Sequence, residues 1–264
     1  MELLLLLGIG LLTGLTTVLF GFGGGFVTVP VIVWVDAGLG ADAAHVAVAT
    51  STVVMVVNAC VATAATDRNV LARLSRNRGL FALLVLGGAV GAFAARYAPG
   101  PVTQWGFIGY LTVTIADLLL RPGFLRNGAR SQRPAKAIST AAGLPIGATA
   151  AFLGVGGSVL TVPVMRRSGH DMRTATSLAN PLTLAIAAPA AVLFLVERPA
   201  LDHSSAVFLL GSVDLGAAAA LLAGALPVIV LLRRRPPRIP DVFYARSYLG
   251  LLVLMTVTML AATL

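Results

Sequence analysis

The stretch GLTTVLFGFGGGFVTVP, Gly14 to Pro30, returns 133 residues later as GATAAFLGVGGSVLTVP, Gly147 to Pro163, identical at eight of 17 positions. Chance similarity between apolar sequences rarely keeps glycines and a proline in register, so the chain reads as an internal repeat. Further along each half, Ala49-Thr50-Ser51 resembles Ala175-Thr176-Ser177, and Phe107-Ile108-Gly109 resembles Tyr248-Leu249-Gly250. Two homologous halves follow, 1–125 and 137–264, with a basic linker at 126–136.

Each copy of the motif lies in an overlong apolar segment. The first, 3–35, would be about 50 Å as continuous helix, against a hydrocarbon core of ~30 Å. Glycines at 21, 23, 24 and 25, followed by Pro30, predict a break within it. Unwound backbone at membrane depth is tolerated only where it is buried in protein or lines a polar cavity. Transporters use such breaks to present the N-terminus of a half-helix, with its partial positive charge and free N–H groups, to an anion. The candidate binding set is therefore Gly21, Gly23, Gly24, Gly25 and Thr28 in the first copy and Gly154, Gly156, Gly157, Ser158 and Thr161 in the second. Thr50, Ser51, Asn58, Thr176, Ser177 and Asn180 are added from the apolar segments that follow. Asn180 stands out because Pro181 leaves a carbonyl without its helical donor. The competing explanation, close helix packing through small residues, suits one copy better than two.

Composition sets the class. Of 264 residues, 58% are hydrophobic and 11% charged, and the mean hydropathy is +0.93; soluble domains carry about 25% charged residues. Eight apolar segments, 3–35, 43–65, 79–95, 102–120, 137–165, 174–196, 204–232 and 247–264, make this an all-α polytopic membrane protein at ~20 residues per crossing. The N-terminal run has Glu2 and no base before it and no small-residue cleavage site after it, so it reads as mature protein. The net charge of +9 sits in the gaps between apolar runs, where it signals topology and not nucleic-acid binding. One cysteine, Cys60, excludes an internal disulfide and a thiol metal site.

The glycine-rich first segment ending in Thr28-Val29-Pro30, its repetition at Thr161-Val162-Pro163, and the downstream Ala-Thr-Ser together resemble the sulfite exporter TauE/SafE family over nearly the whole chain. That resemblance implies a bacterial inner-membrane permease for small sulfur-containing anions or organic acids, among them sulfite, sulfoacetate and sulfonates. It does not select one substrate.

Loop charges add an orientation. Gap 36–45 has no base while its counterpart 166–173 has Arg166, Arg167 and Arg173. Gap 66–78 has Arg68, Arg73, Arg76 and Arg78, against only Arg198 with Glu197 and Asp202 in 197–203. Gap 96–101 has Arg96, and 233–246 has five arginines. Matching loops thus carry opposite bias, which under the positive-inside rule predicts an inverted repeat. Inversion needs an odd number of crossings per half, which would make 3–35 and 137–165 re-entrant hairpins and place the linker in the cytoplasm. Eight simple spans with parallel halves is the alternative, and it violates the charge rule across the second half.

Among ionisable residues in apolar segments, Asp214 is the candidate for ion coupling, since no basic residue at membrane depth is evident to neutralise it. The alternative is a helix cap near one face. Asp117 reads as a partner of Arg121 on the same helix face, and His45, His170 and His203 fall at loops or helix ends with no metal-ligand spacing. Catalytic and nucleotide-binding motifs are missing from the sequence, so neither enzyme activity nor a cofactor is expected. The expected partners are a small anion, the bilayer and a coupling proton or cation, with no nucleic acid. A non-transporting membrane scaffold, or a subunit embedded in a larger complex, is the alternative function.

Overall fold

The computed structural model of the protein describes residues 2–35, 42–72, 74, 78–121, 124–125, 139–197, 208–235, 237 and 239–263. The linker 126–136 and Asp36, Arg73, Arg76, Arg198, Asp202 and His203 lie outside the described residues.

In chain order the first half is α1 (Glu2–Phe20), α2 (Gly25–Val35), α3 (Ala43–Ala64), the single turn α4 (Arg68–Leu71), α5 (Arg78–Ala95) and α6 (Gly100–Leu120). The second half has a 3₁₀ turn (Thr140–Ala142), α7 (Gly143–Leu153), α8 (Ser158–Arg167), α9 (Met172–Val196), a hairpin of β1 (Leu209–Leu210) and β2 (Val213–Asp214), α10 (Leu215–Arg234) and α11 (Asp241–Thr263). Among the described residues five helices, α3, α5, α9, α10 and α11, are long and apolar enough to cross a membrane. The apolar stretches Leu4–Phe20, Gly25–Val35 and Thr140–Leu153 are shorter.

One boundary departs from expectation. Of the segment expected at 204–232, the described residues from Phe208 on become helical at Leu215, because Gly211, at φ +63°, turns the chain through an antiparallel hairpin that pairs Leu209 with Asp214. A side chain at that φ would be strained, and the hairpin satisfies backbone groups ahead of the helix.

Glycine-faced contacts hold the halves together. Along α1 and α10, Gly10 meets Leu221 and Gly14 meets Ala225; along α5 and α7, Gly87 meets Leu144 and Gly91 meets Ala148. Residue numbers rise together in both contacts, so each pair runs in one direction. A Cβ at any of these four glycines would strike partner backbone, and this close approach maximises dispersion where lipid removes the hydrophobic drive for helix association. Each half thus lends a helix to the other: α1 packs on α10, and α7 packs on α5.

The centre is α3 against α9, in opposite directions. His45 at the start of α3 lies 3.0 Å from Glu197 just past the end of α9, and Met55 and Thr183, midway along the two helices, both face Gly23. Glu197 also receives Arg96 Nε at 3.0 Å and the Ser212 hydroxyl at 2.8 Å, gathering α3, α5, α9 and the hairpin at one end of the molecule. At the other end Arg166, fully buried, donates to both oxygens of Asp241 at 2.9 and 2.7 Å and to the Phe124 carbonyl. Arg167 donates to Asp117 at 2.7 Å, and Arg121 sits 3.1 Å from the same carboxylate, the helix-face pairing the sequence predicts.

Candidate functional site

Between α1 and α2 the chain takes four residues, and Gly21, Gly23 and Gly24 have φ of +73°, +65° and +97°. The left-handed region is open to glycine without penalty, and three such residues reverse the chain so that Gly24 lies back against Thr13 and Thr17, one to two turns before the end of α1. The Gly24 carbonyl accepts from Val27 and Thr28 N–H, both at 3.1 Å, and starts α2. In the second half Gly154 and Gly156 have φ of +67° and +71°, and the Gly157 carbonyl accepts Thr161 N–H at 3.0 Å.

The two turns meet. Gly25 abuts the Gly154 carbonyl, Gly156 abuts the Phe22 carbonyl, and Met55 and Thr183 fill the space beside them. The Ser51 hydroxyl, shared with Val48, donates to the Gly154 carbonyl at 3.2 Å and ties α3 to the second turn.

Their surroundings differ. Gly24 is walled by Thr13, Thr17 and the amide nitrogen of Asn58, whereas Gly157 is walled by Ile186 and Ile146. Thr13 and Ile146 occupy matching places in the repeat, one residue before Gly14 and Gly147. Asn58 and Thr13 are fully buried, and among the described residues neither end of the Asn58 amide nor the Thr13 hydroxyl has a hydrogen-bond partner. Such groups in a buried site cost about 1–3 kcal/mol each. Ser158, Thr161, Thr183 and the Asn180 amide oxygen are buried without partners in the same way.

The remaining expected residues fall into distinct settings. Thr28 donates its hydroxyl to the Gly24 carbonyl at 2.9 Å, so that proton is already used within its own helix. Thr50 accepts Asp214 N–H at 2.9 Å, and the Asp214 carboxylate, 7% exposed, accepts Ala217 N–H at 3.0 Å as the N-cap of α10. The Asn180 amide donates to the Thr176 carbonyl at a long 3.4 Å. Thr176 and Ser177 lie apart from the central turns, in the wall of a cavity of about 490 Å³ at the end of the molecule that carries α4, the start of α9 and the end of α10. There Ser177 accepts from Arg233 Nη1 at 3.2 Å. The Thr176 carbonyl lies against Gly21, so the cavity floor adjoins the first turn.

Sequence reasoning left out Thr13, Thr17, Thr183 and Arg233. The Thr13-for-Ile146 difference was visible in the aligned repeats and was the available signal for Thr13. Arg233 gave none, because a charge at a helix end reads as a loop residue until its side chain is seen to turn inward.

No curated protein and no solved structure matches the chain. Residues 6–259 match the sulfite exporter TauE/SafE family, and with glycine turns meeting among apolar helices across that length, the chain belongs to this family of membrane transporters.

Proposed function

We propose that the protein moves a small anion, sulfite, an organosulfonate or a related carboxylate, across the bacterial inner membrane, binding it where the two glycine turns meet. The observation that carries this reading is Asn58, a fully buried amide with both ends unpartnered beside Gly24 at the start of α2. An oxyanion there would accept from the amide, from the Thr13 hydroxyl and from the first N–H groups of α2, whose partial positive charge favours it. Charge-assisted bonds of this kind contribute roughly 1.5–3 kcal/mol each, enough together for micromolar to millimolar affinity and so for release on the far side. Gly21, Gly23 and Gly25 shape the turn, and Gly154, Gly156, Gly157, Ser158 and Thr161 form the facing wall. A scaffold would gain nothing from buried donors and acceptors left without partners.

The halves are read as an inverted repeat with α1–α2 and α7–α8 as re-entrant hairpins. Support comes from the return of Gly24 to the level of Thr13, from the opposed directions of α3 and α9, and from the charges at the two ends. Arg173, Arg233 and the α4 turn bearing Arg68 share one end, while Glu197 with His45 and Arg96 marks the other. The first end is then cytoplasmic. Asp214 is the candidate coupling residue: a proton on its carboxylate would weaken the Ala217 N–H bond and loosen the start of α10.

Flux into proteoliposomes of sulfite, thiosulfate, sulfoacetate and taurine tests the function directly. Saturable transport of at least one, lost in Gly24→Leu protein that still inserts, is the expected result. Failure of all four, with intact protein, would overturn it.

A further inference from the structure

The 490 Å³ cavity is many times the ~30 Å³ share of a water molecule, and its polar wall is unevenly satisfied. Arg233 reaches across it from α10 to Ser177 on α9, using Nη1 alone. Its Nε and Nη2 are buried and, among the described residues, have no hydrogen-bond partner. These two nitrogens form the side edge of the guanidinium, the edge that meets two oxygens of a carboxylate or sulfonate head in parallel bonds. A donor fork left buried and unpartnered at a cavity wall is costly unless something accepts from it.

The carboxylates of the wall do not take this role. Asp241 is held by Arg166 and by Met172 N–H at 2.9 Å, and Asp67 caps α4 through Asn69 N–H at 2.8 Å. The wall's charged groups are three aspartates, Asp67, Asp171 and Asp241, and two arginines, Arg173 and Arg233, so selection here depends on the geometry of one fork and not on bulk charge. Beneath it lie the last turn of α1 and Gly21, with the Tyr244 hydroxyl donating to the Leu19 carbonyl. Tyr244, in the cavity wall, meets the Phe20 ring edge-on at 5.7 Å between centroids, and Phe20 meets Tyr248 in the same way at 5.8 Å.

We propose that Arg233 and Ser177 form a second anion site, a vestibule on the arginine-bearing face that receives the sulfonate, sulfite or carboxylate head of a small anion before it passes Gly21. The site stands on its own geometry, and only its place in a transport path rests on the permease reading.

The test uses purified full-length protein with Cys60→Ser and Thr174→Cys, which puts one thiol on the cavity wall. Alkylation by a neutral maleimide is timed while methanesulfonate replaces gluconate at constant ionic strength. Methanesulfonate should slow labelling at Thr174→Cys and leave a thiol at Ala98→Cys, at the opposite end, unaffected. Adding Arg233→Gln should raise the half-protecting concentration roughly tenfold, the loss expected for charge-assisted bonds to one head group. Arg233→Lys, which keeps the charge but not the fork, should fall between and guards against misfolding of the glutamine variant. Protection missing in the parent protein, or unchanged by both Arg233 substitutions, would overturn the proposal. Gly24→Leu separates the two readings: it should stop flux while protection at Thr174→Cys persists, and protection without flux in the parent would sink the permease reading while sparing this site.

Discussion

At the scale of single residues, Asn58 and Thr28 differ in whether their polar atoms are already bonded. Because the Asn58 amide sits unpartnered in the apolar interior, Asn58→Leu should stabilise the fold by about 1–3 kcal/mol while raising the half-saturating anion concentration at least about tenfold, the effect of losing one charge-assisted bond. Thermal unfolding in detergent and proteoliposome flux read the two quantities separately, and a variant both less stable and fully active would contradict the assignment. Thr28→Val should leave affinity within roughly twofold, since its hydroxyl is bonded to the Gly24 carbonyl and is not free to serve an anion. The sequence places Thr28 among the donors, because register in a motif shows which hydroxyls are near a break but not what they already bond. The same limit applies to Asp214: the sequence leaves ion coupling and a helix cap as alternatives, and the bond it makes to Ala217 N–H is seen only in the structure. Asp214→Asn keeps an oxygen for that cap, so it should insert normally and lose any dependence of flux on a proton gradient. Persistence of that dependence would remove Asp214 from the coupling path.

At the scale of elements the two glycine turns, alike in sequence, are not equivalent in tolerance. Gly24 has φ +97°, and a Cβ there would meet both Thr13 and Asn58; Gly157 has negative φ, and its close neighbour is the flexible tip of Ile186. Gly24→Ala should therefore cost most of the flux, by strain and by intrusion on the polar wall, and Gly157→Ala should retain most of it. Equal loss in both would mean that the turns act symmetrically. The glycines and prolines made the helix interruptions legible, because they encode backbone geometry locally. The polarity difference between the turns depends on Asn58, which comes from a later helix, and on the Thr13-for-Ile146 exchange, so it emerges only when three elements are brought together.

For the molecule as a whole, the opposite faces assigned to matching loops give a direct measurement. In a Cys60→Ser background, cysteines at Thr66 and Arg235 should react with a membrane-impermeant thiol reagent only from the cytoplasmic side, and cysteines at Pro99 and Glu197 only from outside. Reaction of Arg235→Cys from outside in intact cells would exclude the inverted arrangement. Charge bias had made this legible without any contact information, whereas the exchange of helices between halves was not, since nothing in a single sequence says which glycine faces which. That exchange bears on how the protein is made. Leu221, against which Gly10 packs, is synthesised some two hundred residues after it, which at 5–20 residues per second is a delay of roughly 10–40 s. Throughout that interval α1 has a glycine-lined face and no helix to cover it. The insertion machinery or a chaperone in the bilayer must shelter it, and a nascent chain stalled before α10 is the form of this protein most exposed to quality-control proteolysis.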